Sequence, residues 1–169
     1  TGEEYMPQTG KKENTIQFNY MMGDELINIK YRDGRKNFKL YKGAEKIFYN
    51  INSIVGYDWC VITEGEMDAL ALHEAGIKPV ISVPNGATLN SNNLDYLDNC
   101  IDYFEDKEKI ILAVDADEAG QALRYEFIRR LGAEVCYLVD FNGNKDANDF
   151  LVEHGAEKLR KVITSATQV

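Results

Sequence analysis

From Tyr57 onward the chain repeats one pattern: a short, almost uninterrupted apolar run, a turn, then a stretch with helical spacing. The runs fall at residues 59–63, 79–83, 109–114 and 134–139. A strand that is apolar on both faces has to be covered on both, and a parallel sheet with helices on its two sides does this. Helical stretches are predicted at 67–75, closed by Gly76, at 94–104, at 118–131, closed by Gly132, and at 148–163. In the third of these, Ala119, Leu123, Phe127 and Leu131 form a single apolar stripe. Residues 57–169 are therefore expected to be an α/β domain.

The preceding segment obeys a different period. Ile16-Gln-Phe-Asn-Tyr20, Leu26-Ile-Asn-Ile-Lys-Tyr31 and Phe38-Lys-Leu-Tyr41 alternate apolar and polar residues around an Asp33-Gly34 turn. That pattern predicts antiparallel hairpins, so residues 15–56 are read as a small β-rich subdomain and residues 1–14 as a polar, frayed lead-in. Charge divides the same way. Residues 1–50 carry nine basic and seven acidic side chains, leaving ten basic and twenty-one acidic in the remainder. Lys30, Arg32, Arg35, Lys36, Lys39, Lys42 and Lys46 make a basic strip attached to an acidic body. Such a strip suits phosphate contacts, and a soluble hairpin edge is its structural alternative. Tyr31, Phe38, Tyr41, Phe48 and Tyr49 lie among these cations; core packing is the expected role for most, with stacking on bases the alternative.

Several classes are excluded. No apolar run approaches the ~20 residues that cross a bilayer, and no signal-peptide pattern opens the chain. Cys60, Cys100 and Cys136 form no CxxC pair, and with only His73 and His154 available a structural zinc is not expected. Buried reduced thiols are expected instead, which fits a cytoplasmic location. A start at Thr1 and a polar tail suggest a piece of a longer polypeptide.

Acids cluster where the strands end. Ligands of parallel α/β sheets bind at the carboxyl ends of the strands, and there the chain carries Glu64, Asp115 with Asp117, and Asp140 followed by Asp146. Carboxylates converging from separate strands repel one another unless a cation sits between them, and a hard oxygen set selects Mg²⁺ or Mn²⁺. Gly65 and Gly120 beside them are expected to let the backbone approach a ligand. Glu66, Asp68, Glu118 and Asp149 open helices and read as acids placed at the positive end of the helix dipole.

Four motifs in order, ITEGEMDALAL from Ile62, SVPNGA from Ser82, VDADEAGQ from Val114 and KDANDFL from Lys145, resemble the TOPRIM domain of the T7-type phage primase-helicase and Twinkle-like family. The resemblance runs from about Asp58 to the C-terminus, and the basic segment FKLYKGAEKIFY before it is more loosely similar. It implies a TOPRIM-like parallel sheet flanked by helices, with Glu64, Asp115 and Asp117 catalytic and Glu64, Asp115, Asp117 and Asp146 holding Mg²⁺ or Mn²⁺. Asp140 competes with Asp146 for the last role. The implied reaction is metal-dependent nucleotidyl transfer in the RNA-polymerising core of a primase, with single-stranded DNA as template and NTPs as substrates. Lys30, Arg32, Arg35, Lys39, Lys42 and Lys46 would contact triphosphate or template. A TOPRIM nuclease and an inert binding module are the rivals. The zinc ribbon and helicase motor of such proteins have no motif here and would lie in other domains.

Overall fold

The computed structural model describes residues 1–86 and 94–169; Ala87, which ends the SVPNGA motif, lies outside them. Nine strands are present among the described residues. β1 (Gly2–Met6), β2 (Lys11–Met22), β3 (Glu25–Asp33) and β4 (Phe38–Leu40) form an antiparallel sheet in that order. Its turns follow the sequence. Asp33 accepts the backbone N–H groups of Arg35 and Asn37 at 2.8 and 2.9 Å, pinning the β3–β4 connection. The lead-in is not frayed: Gly2↔Thr15 through Met6↔Lys11 pair as a hairpin, and Met6 is fully buried. Charged residues on the outward face mask the alternation there and hide the strand in the sequence.

The second sheet has the order β6-β5-β7-β8-β9, built from β5 (Trp59–Thr63), β6 (Val80–Ser82), β7 (Lys109–Ala113), β8 (Cys136–Leu138) and β9 (Thr167–Gln168). The first four are parallel and β9 runs antiparallel on β8. Successive side chains point to opposite faces, so Cys60, Ile62, Ile110 and Leu112 enter one core layer and Val61, Ile111 and Ala113 the other. α3 (Glu118–Leu131) packs on the first layer through Leu123 and Phe127, joined by α2 (Asp95–Asp98) through Leu97. The second layer is covered by α1 (Glu66–Glu74), α4 (Ala147–His154) and α5 (Ala156–Thr164). Cys60, Cys100 and Cys136 are free and buried, and burial pushes their thiols up to about 12, 11 and 11.

Two expected helices are broken. The stretch 94–104 is one turn of α-helix followed by a 3₁₀ turn at Ile101–Phe104, because the Asn99 amide turns to donate to Lys46 O (2.9 Å) while Cys100 and Phe104 enter the core. The stretch 148–163 divides at Gly155, whose φ of 83° ends α4 and starts α5. Residues 47–54 tie the sheets together. Tyr49 exchanges backbone hydrogen bonds with Ser82 at 2.9 and 3.2 Å, and Asn52 holds both N–H and C=O of Gly23 at the β2–β3 turn. No helix among the described residues is long and apolar enough to cross a membrane.

Candidate functional site

Three carboxylates meet at the carboxyl end of the parallel strands. Asp68, Asp115 and Asp146 each present an oxygen, and these atoms lie within 4.8 Å of one another. Asp115 follows β7, Asp68 stands in the first turn of α1 after β5, and Asp146 is the N-cap of α4, where its Oδ1 accepts Asp149 N–H at 2.8 Å. Asp68 Oδ1 accepts the Asn148 N–H at 3.0 Å, so α1 and α4 share the site. Burial, with Asp146 and Asp115 adding repulsion, pushes the Asp68 carboxyl up to about 7. Burial raises Asp115 as well, opposed by Lys145, whose Nζ lies 2.8 Å from its Oδ2. The ammonium is raised in turn by Asp115. Three hard oxygen donors crowded in a half-dry pocket are a donor set that fits Mg²⁺ or Mn²⁺.

The sequence-predicted residues divide around this cluster. Glu64 is adjacent: its Oε2 accepts from Asp115 N at 3.4 Å, and it lines the same cleft. Asp146 reaches the cluster, whereas Asp140 lines a different cavity and accepts the Asn142 N–H at 2.7 Å. Asp117 is the N-cap of α3, its Oδ1 accepting Gly120 N–H at 2.9 Å. Asp68, read from its position first as an acid of the helix dipole, belongs to the cluster. Glu66, with the same expectation, is buried against Lys30 and Tyr20.

Gly120 serves protein packing rather than ligand approach. A Cβ there would lie 2.2 Å from Asp115 O, a backbone atom with no rotamer to yield. Gly120→Ala is expected to cost ~3 kcal/mol in chemical denaturation. A cost under about 0.5 kcal/mol would refute this packing. Gly65 has another duty, since its Cβ would meet Asp68 Oδ2 at 2.8 Å. For Asp117, replacement by Ala is expected to lose ~1 kcal/mol and replacement by Asn almost nothing, because Asn caps equally well. Equal losses in thermal melts of the two variants would remove the capping role.

The cleft beside the acids holds about 460 Å³, and β3 and β4 supply its opposite wall through Lys30, Phe38 and Leu40. Lys30 and Arg32 pair with Leu40 and Phe38 on one face of the sheet. Lys30 is buried, with Nζ donating to Glu66 Oε1 at 2.7 Å and Pro84 O at 2.8 Å, while the Tyr20 hydroxyl donates to the same Glu66 oxygen. Its ammonium stands 4.9 Å from the Phe38 ring centre. Lys39 is part of the wall but its ammonium turns to Glu4 Oε1 (2.6 Å) and Tyr5 O. Arg32 lines a separate groove with Thr1 and Asn14. Arg35, Lys42 and Lys46 are exposed. The strip is thus dispersed, with Lys30 and β4 reaching the acids' cleft. Of the aromatic residues, Phe48 is core, whereas Phe38 is 45% exposed on the cleft wall.

Known proteins resemble this chain in sequence and in fold. The chain is 37% identical to the "Primase homolog protein" of Arabidopsis thaliana over 91% of its own length and 51% of that protein's. With the "Twinkle homolog protein, chloroplastic/mitochondrial" of the same plant it shares 34% identity over 91% of this chain and 24% of the relative. The crystal structure of the primase fragment of the bacteriophage T7 primase-helicase superposes with a TM-score of 0.78 at 25% identity, covering 95% of this chain and 65% of that one. The model of the Toprim-like family matches residues 61–151, more than half of the sequence, and the chain belongs to that family.

Proposed function

We propose that the chain is the nucleotide-polymerising core of a DNA primase, extending an oligoribonucleotide on a single-stranded DNA template from NTPs. The observation that carries this reading is the convergence of Asp68, Asp115 and Asp146 at one edge of a cleft whose far wall is the antiparallel sheet. The similarity to the plant primase homolog and to the phage primase fragment supports the choice of reaction.

Asp68, Asp115 and Asp146 would hold Mg²⁺ or Mn²⁺, with Glu64 beside them as a further ligand or as a base. When bound, the ion supplies charge neutralisation for the triphosphate and a lower pKa for the attacking 3′-hydroxyl. Lys145 holds Asp115 in place and is itself 58% exposed, free to swing toward an incoming phosphate. Phe38 offers a flat apolar face to a base across the cleft. Arg35, Lys42 and Lys46, with Arg32, would track template phosphates away from the cleft. Zinc-ribbon and helicase domains are proposed to be supplied elsewhere in the full protein. Three buried thiols fit a reducing compartment such as the cytoplasm.

The test combines Mn²⁺ binding, followed by electron paramagnetic resonance, with dinucleotide synthesis on single-stranded DNA. Binding and synthesis are expected in the unaltered protein, and neither in Asp115→Asn. Metal-dependent nicking without synthesis would assign a nuclease, and no Mn²⁺ binding would sink the metal-dependent reading altogether. Arg35→Glu with Lys42→Glu is expected to weaken single-stranded DNA binding and to flatten its salt dependence by ~0.7 for each phosphate no longer neutralised. An unchanged slope would make these residues a solubilising edge.

A further inference from the structure

Beyond Ala116 the carboxyl end of the sheet opens into a second cavity, of about 530 Å³. Its walls include Gln121 and Arg124 on α3 and the loop from Asp140 to Lys145. Arg124 sets it apart. Its Nε is buried and has no hydrogen-bond partner, and among the described residues it is the one cationic atom in that condition. No ion pair among the described residues compensates it, and burial holds its pKa below the usual guanidinium value. Asp140, the acid in this wall, has its Oδ1 engaged by the Asn142 N–H. A buried donor left unmade is costly, and a guanidinium cannot shed its charge, so the side chain is poised for an acceptor that arrives from outside.

The wall carries two cations, Arg124 and Lys145, against one carboxylate, in a protein of net charge -9. Lys145 also lines the cleft of the acid cluster, with its ammonium on Asp115. The two cavities therefore share one side chain. We propose that the second cavity is a phosphate subsite in which Arg124 holds a phosphate group of a ligand that extends past Lys145 to the acid cluster. The planar fork of arginine matches such an anion in paired hydrogen bonds. The choice of phosphate over another anion rests on the nucleotidyl-transfer reading; the presence of an anion site does not. Its source is either the tail of a free nucleotide or the backbone of a bound strand, and the chemistry recognised is the same.

Titrations in the presence of a chelator keep metal out of the acid cluster and separate this site from it. Pyrophosphate and a short oligodeoxythymidylate are the two probes, applied to the unaltered protein, to Arg124→Gln and to Arg124→Lys. Arg124→Gln is expected to weaken at least one probe ~10-fold, with partial recovery in Arg124→Lys. Weakening with pyrophosphate identifies a nucleotide tail, and weakening with the oligonucleotide alone identifies the strand. Failure of both probes to bind the unaltered protein, or binding of both probes undiminished in Arg124→Gln, overturns the proposal. Arg124-dependent anion binding in an unaltered protein that shows no synthesis would refute the primase reading and leave the anion site standing. Arg124→Gln removes an uncompensated charge, so its unfolding transition should not fall; if it does, the comparison moves to Arg124→Lys, and protection of the unaltered Arg124 from phenylglyoxal by pyrophosphate decides the case either way.

Discussion

Asp68→Asn is expected to reduce metal-dependent synthesis by at least ~10³-fold and, at about pH 8 without metal, to stabilise the protein. The second half follows from linkage. The Asp68 carboxyl is raised to about 7, well above its value in an unfolded chain. Between about pH 4 and pH 7 the native state therefore holds a proton that the unfolded state has released, and stability falls as pH rises through that window. Above it the ionised carboxylate sits buried against Asp146 and Asp115 at full cost. Asparagine keeps an oxygen for the Asn148 N–H and carries no charge. The gain at about pH 8 is on the order of 2 kcal/mol, or ~5 °C in a chain of this size, and it should vanish near about pH 4. Added Mg²⁺ should raise the melting temperature of the unaltered protein and not of the variant. A variant destabilised under the same alkaline conditions would show that Asp68 is chiefly a helix-opening acid.

The largest loss of stability is expected at Lys30. Its ammonium and the Glu66 carboxylate are both nearly excluded from water, at 10% and 5% side-chain exposure, and 2.7 Å apart. Lys30→Met leaves Glu66 buried with the Tyr20 hydroxyl alone, which should cost ~3–5 kcal/mol at neutral pH. Glu66→Gln in the same chain should recover much of that loss, since no buried charge is then stranded. Urea denaturation of the two single variants and the double variant measures the coupling. Additive losses would mean that Lys30 acts on a ligand rather than on Glu66. Lys30 and Glu66 also line the cleft, so this pair links the antiparallel sheet to α1 beside the acid cluster.

Much of the fold is legible in the residues alone. β5, β7 and α3 announce themselves, the strands by runs apolar on both faces and the helix by its four-residue stripe. Asp146 rests on the resemblance of its KDANDFL segment, since Asp140 lies nearer the end of the preceding strand, whereas Asp115 can be placed at a strand end. Asp68 cannot, because three residues into a helix an acid is favoured by the dipole whether or not it meets another chain segment. Only the tertiary approach of α4 makes it part of a cluster, and local spacing carries no trace of an approach between residues 68 and 146. Asp117 is ambiguous in the other direction, since a DxD after a strand looks identical whether its second acid faces a ligand, caps the next helix or does both. The basic strip is visible as charge but not as two faces. Alternation sends Lys30 inward and Lys39 outward, so neighbours in the sheet end up with different partners. Gly155 is a similar case: the apolar spacing continues through it, and its left-handed φ alone divides the helix.

The margins of the five-stranded sheet bear on how copies of this protein treat one another in concentrated solution. β6 offers three residues and is already bridged by Tyr49, while β9 offers two. Among the described residues neither margin presents a long enough row of unsatisfied amides to template a foreign strand, which disfavours edge-to-edge aggregation there. The margins of the antiparallel sheet, β1 and β4, are instead tied to each other: the Lys39 ammonium holds Glu4 at 2.6 Å and the Gln8 amide donates to Phe38 O at 2.7 Å. An ion pair closes that gap, which leaves it sensitive to salt where the parallel sheet is protected by geometry alone.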